Sequence, residues 1–139
     1  MGEVSATVFV RPDREYADVF VRLCDVDPEG VSRNVVEGIR RLQPSTVPAV
    51  DVVVGDDGVL AVEVELFPTA YRIAAGHRLR VVVAGGAFPR YSTNLGVAGN
   101  QADLLTGRKT RFEVFHDAQH PSRIRLPVLA DAGSRRLRD

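Results

Sequence analysis

The sequence predicts an all-β chain folded as an antiparallel sandwich, on three observations. Apolar residues recur with period two, turn-forming clusters fall at short intervals between them, and helical spacing is scarce. In VLAVEVELF (59–67), Val62, Val64 and Leu66 point one way while Glu63 and Glu65 point the other. That is the signature of a strand with one wet face.

The other strands follow in chain order. SATVFV (5–10) and ADVFVRLCDV (17–26) are rich in β-branched and aromatic residues, which suit a pleated, half-buried surface. VSRNVVEGIRRL (31–42) has partly helical spacing, but Gly38 and its Val-Val-Ile content argue strand. PAVDVVVGDDG (48–58) reads as a hairpin arm. HRLRVVV (77–83) sets Arg78 and Arg80 outward against Leu79 and Val81. TRFEVFH (110–116) and SRIRLPV (122–128) complete the set, the latter alternating Arg123 and Arg125 with Ile124 and Leu126. Turn chemistry separates them at Pro12-Asp13, Asp27-Pro28-Glu29-Gly30, Asp56-Asp57-Gly58 and Ala75-Gly76. The segment from Gly96 to Gly107 is expected to hold one short helical turn. Residues 1–129 form one domain, and the polar, apolar-poor tail 130–139 is expected to be disordered.

Composition limits the function classes. A chain of 139 residues is one domain and buries roughly two-thirds of its unfolded surface. Eighteen basic residues balance eighteen acidic ones, and the arginines are spread along the chain, so no field favours nucleic acid or an anionic membrane. The longest apolar runs, Val52–Val54 and Val81–Ala84, fall far short of the ~20 residues that cross a bilayer. Cys24 is the only cysteine, which forbids an internal disulfide and points to a reducing, cytoplasmic setting. In VFVRLCDV it reads as a small buried thiol, since no neighbour is suited to lower its pKa.

In combination, several segments resemble one family. They are ADVFVRLCDVDPEGVSRNVVEGIRRL, then VEVELFPTAYRIAAGHRLRVVVAGGAFPRYSTN, then FEVFHDAQHPSRIRLPVL. They are similar to the C-terminal domain of the Xaa-Pro dipeptidyl-peptidase and cocaine-esterase family, serine hydrolases of the α/β-hydrolase type. The likeness covers residues 4 to 129. It implies a jelly-roll, galactose-binding-like sandwich that packs on a catalytic domain and helps wall the substrate cleft. It also implies that the nucleophile, acid and histidine lie in that other domain. EVSATVFV matches the second half of the family's opening stretch, so the sandwich is expected to lack its first edge strand. PAVDVVVGDDG is longer than the usual connection and is expected to form an added hairpin.

The residues themselves offer little independent chemistry. A hydrolase elbow needs Gly-x-Ser-x-Gly at a strand-to-helix turn. Ser5, Ser32, Ser45, Ser92, Ser122 and Ser134 all lack that frame. His116 and His120 are four apart, but Pro121 and the preceding RFEVF put them on a strand entering a turn rather than on a helix. There Asp117 is expected to cap local backbone amides, and His77 to be a hydrogen-bonded corner residue. Gly85 and Gly86 mark a bulge or close packing where a strand leaves the sheet. No catalytic, cofactor or metal residue is assigned. PTAYRIAAGHRLRVVV (68–83) reads as strand, tight turn, strand, a corner of the sandwich. FPRYSTN (88–94) leaves that corner with Phe88, Arg90 and Tyr91, side chains that interface centres prefer.

Three readings follow. The first is a non-catalytic accessory domain partnered by an α/β-hydrolase catalytic domain. The second is a free-standing carbohydrate- or ligand-binding module, weakened by the absence of Trp and the presence of only three Tyr. The third is a homo-oligomer joined through an exposed sheet edge.

Overall fold

The computed structural model of the chain describes residues 2–100 and 102–129; the tail expected to be disordered, 130–139, lies outside the described residues. Among the described residues eight strands form: β1 (Gly2–Pro12), β2 (Ala17–Val26), β3 (Ser32–Leu42), β4 (Val52–Val54), β5 (Leu60–Thr69), β6 (Arg78–Ala84), β7 (Phe112–Phe115) and β8 (Arg123–Arg125). They make two antiparallel sheets. One runs β4-β5-β1-β7, with β8 also on β1. The other runs β3-β2-β6. The expected all-β, two-sheet architecture is observed.

The sequence period explains why these strands enclose a core. On β1, Val4, Ala6, Val8 and Val10 face inward; on β5, Leu60, Val62, Val64 and Leu66 do the same. Their partners across the space are Val19, Val21 and Leu23 of β2 with Val36 and Leu42 of β3. Each fully buried Val or Leu contributes about 2 kcal/mol over an exposed one. A slip of one residue in either sheet would turn the whole set outward, so the register is strongly specified. The expected hairpin at 48–58 is present, with β4 and β5 closed by Gly55 N donating to Val59 O at 2.8 Å.

Two expectations fail. No helical turn forms among the described residues of 96–107. Asp103 N instead bonds Asn100 O at 2.9 Å and Arg108 N bonds Leu95 O at 2.8 Å. Glycines at 96, 99 and 107 deprive the segment of the helix propensity such a turn needs. The helical element among the described residues is the 3-10 turn Pro44–Thr46. The second failure concerns β6. Its alternation is as expected, but Leu79 and Val81 stay 48% and 44% exposed. β6 is an edge strand, and its inward face is left without a roof.

The sheets approach most closely where β3 crosses β5. A Cβ at Gly38 would fall inside van der Waals contact with the Glu65 carbonyl oxygen. Neither backbone can yield without breaking its ladder. Gly38→Ala is therefore expected to cost about 3 kcal/mol or more as overpacking. In a domain of this size that lowers Tm by about 10 °C, measurable by calorimetry.

Candidate docking face

The outward side of β2 should be wet, yet Asp18 and Phe20 there are only 1% and 2% exposed. The chain after β6 covers them. Three tethers hold the loop around residues 88–94 on this face, and two of them begin as cross-strand pairs. The β2–β3 register sets Asp18 opposite Arg41 and Arg22 opposite Glu37. Arg41 grips Asp18 with two parallel bonds, Nε to Oδ1 at 2.9 Å and Nη2 to Oδ2 at 3.0 Å. Asn94 Nδ2 donates to the same carboxylate at 2.8 Å, and Arg41 Nη2 also donates to Ser92 O at 3.1 Å. Glu37 accepts from Arg22 Nε at 2.7 Å and from Arg90 Nε at 2.8 Å. The third tether is aromatic: the Tyr91 and Phe20 rings lie 6.0 Å apart.

This arrangement divides the three loop residues named from the sequence. Tyr91 is turned inward onto Phe20, and Arg90 bonds Glu37 while lying 5.9 Å over the Phe67 ring. Phe88 points away and is 79% exposed. The Tyr91 N–H bond to Ala87 O at 3.1 Å closes the turn that carries it. A large apolar side chain thus stands in solvent on a loop fixed at both flanks. Asp18, Arg41, Glu37 and Asn94 make this rigidity, and sequence reasoning did not single them out. Outward charges facing one another across a hairpin were the available signal; the Asn94 contact, 76 positions away from Asp18, had none.

The corner before β6 is a second polar cluster. Gly76 takes φ +84°, which lets the chain swing from one sheet to the other. His77 Nδ1 then meets Asp25 Oδ1 at 2.8 Å, and Tyr71 Oη donates to Asp25 Oδ2 at 2.9 Å. Burial pushes the Asp25 carboxyl up, but the bonds from His77 and Tyr71 and the charges of His77 and Arg33 outweigh it. The net pKa lies below the ordinary value of 3.8. Both the corner and the His77 hydrogen bond match the sequence reading.

Asp117 also caps as expected, its Oδ1 accepting from Gln119 N and His120 N at 2.8 Å each. His120 is wedged between the Phe9 and Phe115 rings, with Nε2 on Asp57 at 3.0 Å; His116 is exposed. Cys24 is buried against Asn34. Among the described residues the Ser92 hydroxyl meets the Arg41 guanidinium, 3.5 Å away, which cannot act as a base. Asp18, Glu37, Asp25 and Asp117 are each engaged in holding a loop or a corner.

Two outcomes are expected from this geometry. Arg41→Ala leaves Asp18 buried with Asn94 as its remaining side-chain donor, which costs about 2 kcal/mol once the partial exposure of the arginine is allowed for. Amide exchange across 88–94 should speed up. For pH, a depressed carboxyl stabilises the fold above its unfolded value and loses that contribution as pH falls through its folded value. Asp25, Asp57, Glu63 and Asp117 are all lowered. Tm is therefore expected to fall on acidification below about pH 4, and less steeply in Asp25→Asn, as thermal melts across pH will show.

Comparison with known proteins agrees with the chemistry. A family model described as the X-Pro dipeptidyl-peptidase C-terminal non-catalytic domain matches residues 1–125. A cocaine esterase of Rhodococcus sp. (strain MB1 Bresler) is 28% identical over 130 residues, covering 92% of this chain and 23% of that protein. A provisionally named serine esterase of Mycobacterium bovis is 30% identical over 145 aligned positions, covering 92% of this chain and 21% of its own length. A protein of Mycobacterium tuberculosis with the same provisional description matches equally well. The chain thus spans about a fifth of the length of these relatives. It belongs to the family of X-Pro dipeptidyl-peptidase C-terminal non-catalytic domains.

Proposed function

We propose that this domain docks on the catalytic domain of a serine hydrolase of dipeptidyl-peptidase or acyl-esterase type and shapes a wall of its substrate cleft. The single observation that carries the reading is Phe88, an aromatic 79% exposed on a loop pinned by Asp18, Glu37 and Phe20. Ordering such a loop on binding costs little, because its own domain has already ordered it. Exposed Phe67 beside Arg90 adds a second aromatic of the kind that interface centres use. The fold would be a galactose-binding-like jelly roll. Supporting this, the chain alternates between sheets: β1, then β2 and β3, then β4 and β5, then β6, then β7 and β8. The free, buried Cys24 suits a cytoplasmic setting.

A second reading, a carbohydrate- or ligand-binding module, has one observation in its favour. A cavity of about 400 Å³ is floored by Leu42, Val47 and Leu60, with Asp13, Arg14, Glu15 and Gln43 in its lining. It has no aromatic platform, the surface on which sugar rings usually stack.

The two are separated by supplying the hydrolase catalytic domain as a second polypeptide. Docking should be lost about tenfold or more in Phe88→Ala, as for an interface anchor, with a fall in kcat/KM and an unchanged far-ultraviolet spectrum. If docking and turnover are both untouched by Phe88→Ala, the loop is not the interface. Saturable calorimetric binding of one sugar from a panel to the isolated domain would favour the second reading.

A further inference from the structure

Asn34 and Glu37 are three positions apart on β3, so on a regular strand they would face opposite sides. They do not, because the β2–β3 ladder slips between Leu23 and Cys24 and admits one extra residue, Val35. Cys24 thus lies opposite Asn34 and Arg22 opposite Glu37, which puts both β3 side chains on the outer face. Bulges of this kind gather on edge strands and beside binding sites, where they re-aim a side chain. β3 is an edge strand, and the bulge stands in a cleft.

That cleft measures about 310 Å³ and runs between the start of β3 and the end of β5. Val35 and Pro68 wall it beside Phe67, which is 55% exposed. Its polar groups come from Asn34, Glu37, Thr69 and Arg90, and they are turned in one sense. The Glu37 oxygens are both engaged, Oε2 by Arg22 Nε at 2.7 Å and Oε1 by Arg90 Nε at 2.8 Å. Asn34 Oδ1 accepts from the Cys24 thiol at 3.6 Å, which sets the amide so that Nδ2 points the other way. Among the described residues, Asn34 Nδ2 and the two Nη groups of Arg90 make no bond. The carboxylate and amide acceptors are engaged, and the donors are open.

Arg90 is held flat as well as tied. Its guanidinium carbon lies 5.9 Å over the Phe67 ring while Nε bonds Glu37. A guanidinium fixed in this way presents its Nη pair in one direction, and a planar carboxylate is the anion that such a fork matches. Charge agrees. Arg22 and Arg90 around Glu37 leave one net positive charge, which suits a monoanion and falls short for a phosphate dianion.

We propose that this cleft binds a small monocarboxylate with a flat apolar body. Arg90 grips the carboxylate through its Nη pair, Asn34 Nδ2 donates to it, and the body lies against Phe67, Val35 and Pro68. The volume is at the small end for ligand pockets, which suits a single ring with its acid. A neutral amide of the same shape sets its own NH2 against these donors, and a cation meets the guanidinium. Every group of the site belongs to this chain, so it stands apart from the docking reading.

Titration of the purified chain with phenylacetate, followed by amide chemical shifts, tests this. Saturable shifts are expected at Asn34, Phe67, Thr69 and Arg90. The neutral isostere phenylacetamide should bind at least about tenfold more weakly, and phenethylamine should not bind there. Arg90→Gln should weaken phenylacetate about tenfold or more, but it also frees one tether of the loop. Asn34→Asp avoids that difficulty. It keeps an acceptor for Cys24 at an exposed position, yet sets a carboxylate against the ligand. Binding should fall at least as far, with an unchanged circular dichroism spectrum. Phe67→Ala should remove the advantage of phenylacetate over acetate. No saturable shift, equal binding of the amide, a preference for the amine, or full affinity in Asn34→Asp would each overturn the proposal. Shifts centred on the cavity floored by Leu42 would overturn it too, and would assign the acid to that cavity.

Discussion

Every feature of this domain depends on the apposition of β3 on β5 across a core of alternating aliphatic residues. The two strands can touch because Gly38 carries no side chain where the Glu65 carbonyl comes closest. That contact brings Val36 and Leu42 over Val62, Val64 and Leu66, and so fixes which face of each sheet is dry. Once the inward face of β2 is decided, Asp18, Phe20 and Arg22 must point outward. The loop that follows β6 then has a prepared surface to lie on.

That surface is polar for a reason other than stability. A buried carboxylate–guanidinium pair such as Asp18–Arg41 roughly breaks even against an apolar replacement. Its worth lies in direction: two parallel bonds from Arg41 and a third from Asn94 leave the loop one seating. Glu37 does the same with Arg22 and Arg90. The charged groups that a catalytic site would use are thus occupied in positioning a loop. This suits membership of a family of non-catalytic domains.

The two open features differ in kind. Phe88 is a single exposed side chain held out on a pinned turn. The β6 edge is a line, in which unpaired backbone and an uncovered apolar stripe coincide. They lie on different parts of the second sheet, Phe88 on the loop over its outer face and the stripe on its inner face.

The sequence by itself determined the strands, their inward faces and most of the turns. Period-two alternation is a local property, and in VEVEL or SATVFV it is too regular to be read otherwise. Asp117 was legible for the same reason, since Gln119 and His120 lie in the turn beside it; His77 was legible as a corner residue, but its partner Asp25 lies 52 positions away. The helical turn expected at 96–107 does not form among the described residues, where Gly96, Gly99 and Gly107 lower helix propensity. What only the tertiary structure decided was whether a face with the right pattern has anything to cover it. Alternation in HRLRVVV says which way Leu79 and Val81 point. The order of strands in the sheet decides that β6 stands at an edge, where Leu79 and Val81 stay about half exposed. Likewise, sequence nominated Phe88, Arg90 and Tyr91 together, but Phe20 and Glu37 claimed two of them, through contacts 71 and 53 residues apart along the chain. Burial is set by partners distant in sequence, and a local pattern carries no record of them.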